Sequence, residues 1–93
     1  MNLVLTTAHG TVTVPESVLG SIAARAAEAV DGVRVKRRRT VDLESRVVRL
    51  SIAARRGEPL LELAERAQEA VAAALQMMCD LEPAVDIAIG ELA

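Results

Sequence analysis

The sequence predicts an α+β fold, a two-layer sandwich with two amphipathic helices on a small, mainly antiparallel sheet, in the order β-α-β-β-α-β. In two segments, each beginning at a proline, apolar residues recur every three or four positions. The segments around them alternate apolar and polar residues with period two, as strands do. The chain has 93 residues, of which 52% are hydrophobic and 26% charged, and this indicates a single globular domain over residues 1–93.

The first strand and helix are predicted from residues 11 to 32. Polar and apolar residues alternate over residues 11–14, and this pattern places Val12 and Val14 on an inward face. Pro15 is suited to the first helical turn because its missing N–H costs nothing there, and Gly32 supplies a helix stop. Residues 2–7 are a candidate extra strand, reached through a turn at His9-Gly10, within a variable N-terminal segment over 1–9. The apolar stripe of the helix consists of Val18, Leu19, Ile22, Ala23, Ala26 and Val30.

Three alternating segments, 33–36, 41–44 and 48–54, predict a central strand pair. A turn near Ser45–Arg46 would join the strands. It lacks the Gly or Asn of a tight two-residue loop, so the sequence leaves its type open. The predicted register pairs Leu43 with Val48 and Val41 with Leu50 on the apolar face, and Asp42 with Arg49 on the other.

The second helix begins at Pro59 and runs to about Cys79, a length of roughly 30 Å. Pro83 prevents it from continuing much further. A last strand alternates over residues 85–89. A split βαβ arrangement is the closest named topology for this order of elements. The predicted buried stripe of the second helix consists of Leu60, Leu63, Ala64, Ala67, Val71, Leu75 and Met78.

The net charge of −2 hides an uneven distribution. Residues 34–56 hold nine Arg or Lys against two acidic residues, a net charge of +7, and residues 57–93 hold one Arg against eight acidic residues, a net charge of −7. Two interpretations remain open. The opposite charges form ion pairs within the domain, or they form a dipolar surface that binds a partner. The candidate patch for an anionic partner consists of Lys36, Arg37, Arg38, Arg39, Arg46 and Arg49.

The residues available for chemistry are few. The chain has no Phe, Tyr or Trp, so it lacks the aromatic platforms on which nucleic-acid binders stack bases. It has one histidine, His9, and one cysteine, Cys79, which excludes a structural zinc site made by the chain alone and an internal disulfide. We therefore expect no catalytic residues, metal or cofactor. We also expect no membrane span, because the longest apolar run, residues 70–75, is far too short.

The order and spacing of these segments resemble the alkaline shock protein family, the bacterial envelope stress response proteins. The resemblance covers about residues 10–92. It implies a cytoplasmic, non-enzymatic protein of cell-envelope homeostasis that self-associates and that, as in some members of the family, is held at the inner face of the membrane by an anchor protein. The matching segments are residues 10–19, 22–23, 26–27, 30–33, 48–52, 56–57 and 61–64, then 68 and 71, then 85–89.

Two departures from the family pattern are visible. Arg56 precedes Gly57 where the family often has an aromatic residue, and the basic run 36–39 stands where a small-residue loop is usual. The main functional hypothesis is a homo-oligomeric scaffold or adaptor. The alternative is a module that binds an anionic surface, nucleic acid or acidic lipid, through its basic central hairpin. The missing aromatic residues disfavour the nucleic-acid form of that alternative.

Overall fold

The computed structural model describes the backbone of residues 1–93 and every side chain except those of Arg37 and Arg38. It confirms an α+β fold with two helices. It also contains the candidate strand at the N-terminus, so that one more strand precedes the predicted order. The elements are β1 (Asn2–Thr7), β2 (Gly10–Pro15), α1 (Glu16–Glu28), β3 (Val33–Asp42), β4 (Val47–Ala54), α2 (Leu60–Cys79) and β5 (Ala84–Leu92).

The strands form two separate sheets rather than one. β1 and β2 make an antiparallel two-stranded sheet, and the other sheet has the order β3-β4-β5. β3 and β4 are antiparallel, whereas β4 and β5 are parallel and adjacent, so α2 is a crossover between neighbouring strands. The predicted split βαβ topology is therefore wrong: no strand lies between β4 and β5, and β2 pairs with its sequence neighbour through a short turn instead of joining the main sheet.

The predicted register of the central hairpin is also wrong, by two residues. Val41 pairs with Val48, and Asp42 lies opposite Val47 rather than Arg49. The turn has four residues, 43–46, rather than two. The Asp42 carboxylate accepts a hydrogen bond from the Ser45 N–H at 3.1 Å, so β3 ends at Asp42 and the turn begins there. An even slip keeps every side chain on its predicted face. That is why the apolar pattern could not reveal the error.

The core lies between the two helices and one face of the β3-β4-β5 sheet. α1 packs over β3, and α2 packs over β5. The Gln68 side chain donates a hydrogen bond of 2.9 Å to the Val85 carbonyl, which ties α2 to β5. Burial confirms most of both predicted stripes. The largest fully buried side chains are those of Leu19, Val48, Leu50, Ile52, Leu63, Val71 and Leu75.

Four residues predicted to be buried are exposed. Val18, at the start of α1, keeps 44% of its surface. Met78 keeps 63% of its surface and Leu60 keeps 40%, because the buried seam of α2 repeats every four residues from Leu63 to Cys79 and both side chains fall beside it. Cys79 takes the buried place at the helix end. Val12 keeps 49% of its surface because the β1–β2 hairpin extends beyond the core.

Candidate interaction surfaces

The open face of the three-stranded sheet, the side away from the helices, carries part of the predicted basic patch. Lys36 reaches across β4 and forms an ion pair with Glu91 on β5. The hydrogen bond and the charge of Lys36, with a smaller contribution from Arg34, hold the pKa of Glu91 below its ordinary value. Arg49 lies 3.8 Å from the Asp86 carboxylate on the same face. Both cations therefore face acidic partners on β5.

The other members of the patch lie elsewhere. Arg39 follows an irregularity in β3 and extends over α1 beside Gly20, where a Cβ would make an ordinary van der Waals contact, at 3.9 Å, with the Arg39 Cδ and Nε. Arg46 is in the turn, with a φ of 54°, and its carbonyl accepts a hydrogen bond from the Ala84 N–H at 2.9 Å. The side chains of Arg37 and Arg38 lie outside the described ones. The described members are thus distributed over three places.

Small residues lie between the charged side chains of the open face and leave two depressions there. One, of about 590 Å³, lies between Arg34, Lys36 and Glu91. The other, of about 340 Å³, lies between Thr40, Arg49 and Asp86 and has a mainly apolar lining. Each depression thus has basic residues of β3 or β4 on one side and an acidic residue of β5 on the other. The residues between the charged groups are Ser51, Ala53, Ala88 and Gly90.

An ion-pair cluster that the sequence did not predict joins the loop between α1 and β3 to the loop between β4 and α2. Arg55 donates bidentate hydrogen bonds to Asp31, with distances of 2.9 and 3.2 Å, and also contacts Glu58. The hydrogen bond from Arg55 holds the pKa of Asp31 below its ordinary value. The Arg55 N–H donates to the Gly32 carbonyl at 2.9 Å. Asp31 is 24 residues from Arg55, and only the fold brings it to Arg55 and Glu58.

A shallow groove between the two helices, which we call the helix groove, has an apolar lining and a volume of about 380 Å³. Ser21 and Arg25 are its polar members. Met78, on the α2 side of the groove, keeps 63% of its surface. The groove therefore presents flexible aliphatic and thioether groups to solvent. Its apolar lining consists of Val18, Ile22, Ala26, Ala74 and Met78.

The β1–β2 hairpin, called the ribbon below, is the third surface. Within residues 2–15, only Leu3, Leu5 and Val14 are partly buried. Leu3 and Val14 pack against the core, whereas Val4 keeps 57% of its surface. The protein is correspondingly elongated, with extents of 49 × 20 × 18 Å.

The one histidine and the one cysteine of the chain lie far from each other in the fold. His9 is exposed in the ribbon turn, and Cys79 is buried at the end of α2, where desolvation raises the pKa of its thiol. Among the residues that the structure describes, no three His, Cys, Asp or Glu side chains come together as a metal site would require. No helix in the described part of the chain is both long and apolar enough to cross a membrane.

Comparison of the chain with protein-family models, with curated proteins and with solved structures found no match.

Proposed function

We propose that this protein is a non-enzymatic scaffold or adaptor that acts through self-association and protein partners. The alkaline shock protein resemblance supplies its setting, cell-envelope homeostasis, in the cytoplasm and at the inner face of the membrane through an anchor protein. The observation that carries the proposal is the exposure of large apolar side chains on several elements. Leu61 and Met77 keep 74% and 82% of their surfaces, and Val4 keeps 57%.

The magnitude of this exposed apolar surface is adequate for association. Fully burying a Val, Leu or Met side chain contributes about 1.5–3 kcal/mol. A micromolar complex needs about 8 kcal/mol beyond the cost of association. Covering several of the exposed side chains therefore supports weak to moderate self-association, and the uneven charge adds a contribution that depends on salt.

Sedimentation velocity and light scattering at low and high ionic strength test the proposal. We expect oligomers at protein concentrations on the order of tens of micromolar. Added salt should weaken but not abolish them, because apolar burial is not screened. A protein that is strictly monomeric at both ionic strengths would refute it.

Binding to an anionic surface is the second candidate. The net charge of +7 over residues 34–56 favours it. The ion pairs of Lys36 with Glu91 and of Arg49 with Asp86 reduce the charge available to a phosphate.

The combined Arg37→Ala, Arg38→Ala and Arg39→Ala variant separates the two candidates. An anionic-surface binder should lose its salt-sensitive affinity for acidic vesicles or nucleic acid in this variant. A scaffold should keep its self-association. Binding of the wild type and the variant with equal affinity would exclude the second candidate.

A further inference from the structure

We propose that the ribbon is a dimerisation arm, in which β1 pairs edge to edge with β1 of a second copy and the two ribbons form one four-stranded antiparallel sheet. This inference rests on the self-association proposed above and names the segment through which it occurs. The ribbon suits this role because its free edge lacks the features by which proteins normally prevent edge pairing.

The sequence of β1 lacks the residues that normally protect an edge strand. Residues 2–15 contain no Lys, Arg, Asp or Glu, and residues 2–7 contain no Gly or Pro. Edge strands are usually protected by charges, prolines or bulges. The free edge of β3 has such protection, because its sequence is rich in Lys and Arg and its register shifts between Val35 and Arg39. β1 is thus an unprotected edge.

The backbone groups that β1 offers to a partner follow from its pairing with β2. Asn2 lies opposite Pro15, which has no N–H, so these two residues cannot exchange hydrogen bonds. Exchanging and non-exchanging pairs alternate along an antiparallel ladder. The backbone groups of Leu3, Leu5 and Thr7 therefore bond to β2. Those of Asn2, Val4 and Thr6 point to the free edge.

These outward groups select one register for two-fold pairing. With Val4 opposite Val4 of the second copy, Asn2 lies opposite Thr6, and all three outward residues of each copy find partners. Shifting the two-fold axis to Leu3 or Leu5 leaves one of the three outward residues of each copy unpaired. The Val4-centred register also sets Leu3 opposite Leu5 of the second copy, on the face that carries Val12. It therefore extends an aliphatic row across four strands.

A second copy of the ribbon suits the free edge of β1 better than another surface of the protein does. A two-stranded hairpin is marginally stable alone, and three or more strands with an apolar face are needed for independent stability. A second ribbon supplies the missing strands, and its residues 2–15 bring no Lys, Arg, Asp or Glu side chain into the new sheet. The free edges of β3 and β5, in contrast, would bring Lys36, Asp86 or Glu91 toward an uncharged strand, at a desolvation cost.

A pair of proline variants tests the proposal. Val4 and Thr13 are cross-strand partners, and neither uses its N–H within the ribbon, so proline at either position keeps the internal ladder. Val4→Pro blocks the β1 edge, and its matched control, Thr13→Pro, blocks the β2 edge. We expect Val4→Pro to raise the dimer dissociation constant about tenfold or more, in sedimentation velocity, because outward hydrogen bonds are lost. Thr13→Pro should leave it unchanged.

A cysteine pair provides an independent readout if a proline variant fails to fold. In the proposed register the two Val4 Cα atoms lie about 5.5 Å apart, within disulfide range. The two Thr13 Cα atoms lie about three strand spacings apart, roughly 14 Å, which is outside that range. Under mild oxidation Val4→Cys should therefore form a covalent dimer, and Thr13→Cys should not. The native Cys79 is 3% exposed and is common to both variants.

The outcomes separate this inference from the function on which it rests. A monomeric wild type would overturn both proposals. If the wild type associates, three results would overturn the β1 pairing alone. They are no effect of Val4→Pro, an equal weakening of association by Thr13→Pro, or no cross-linking of Val4→Cys. Selective loss with Val4→Pro, or selective cross-linking of Val4→Cys, supports the β1 edge.

Discussion

The exposure of Met78 leads to a prediction that distinguishes the tertiary structure from the sequence pattern. The periodicity of α2 places both Leu75 and Met78 in its buried stripe, but in the structure Leu75 is fully buried and Met78 keeps 63% of its surface. Truncation of each residue to alanine removes a side chain of similar size from the same turn of the same helix. The two variants are therefore matched controls for each other.

The expected losses of stability differ widely. Leu75→Ala removes buried methyl groups and leaves a cavity, so it should lower the free energy of unfolding by about 2–5 kcal/mol. A domain of this size has a total stability on the order of 5–14 kcal/mol, so the variant loses a large fraction of it. Met78→Ala removes a side chain that is mostly in water and should cost about 0.5 kcal/mol or less.

Urea unfolding followed by far-UV circular dichroism measures both losses, since the chain has no Trp or Tyr for fluorescence. The measurement is best made at protein concentrations below those of self-association, because assembly raises apparent stability. A Met78→Ala loss above about 2 kcal/mol, close to that of Leu75→Ala, would refute the placement of the α2 seam.

Three further predictions concern the loops and the helix-to-sheet contact. Gly32 has a φ of 90°, so Gly32→Ala should cost about 1–2 kcal/mol in the same urea experiment, and an unchanged midpoint would contradict that backbone conformation. Gln68→Leu deprives the Val85 carbonyl of its side-chain donor, so it should lower the free energy of unfolding by about 1–2 kcal/mol and speed the hydrogen exchange of the α2 amides. Unaltered hydrogen exchange would count against this contact. The pKa of Asp31 is depressed in the folded state by Arg55, so this pair stabilises the protein at neutral pH and the contribution is lost as the pH falls through the folded-state pKa. Below about pH 4, the urea midpoint of the Arg55→Gln variant should therefore fall less steeply with pH than that of the wild type. Identical dependence of the two midpoints on pH would show that the pair contributes nothing.

Much of the secondary structure follows from local sequence. Pro15 and Pro59 are the N-cap residues of the two helices. Gly32 has a positive φ, but α1 ends earlier than predicted, with Ala29 as its C-cap, and Gly32 lies in the turn that follows. These residues act through their own backbone preferences, which neighbours in space hardly alter. The apolar stripes that follow the prolines are predictable for the same reason, since one helix face must leave water in any compact fold.

The candidate surfaces were less predictable. The sequence identified six cations as one patch, but Lys36 and Arg49 lie opposite acidic residues of β5, and Arg39 extends over α1. Which acidic residue faces which cation depends on strand pairing. An even slip of register leaves the apolar pattern of every strand unchanged, so hydropathy could not reveal the pairing.

The sequence by itself therefore determined the α+β class, the two helices, an aliphatic core and a segment, residues 2–15, without Lys, Arg, Asp or Glu. The tertiary structure decided that β5 lies parallel to β4, that the ribbon stands apart with a free β1 edge, and that Arg55 joins Asp31 to Glu58. The physical reason is the range of the interactions. Backbone preference and periodicity act over a few residues, whereas strand order and ion pairing require contacts between residues distant in the chain, which form only when the whole core closes.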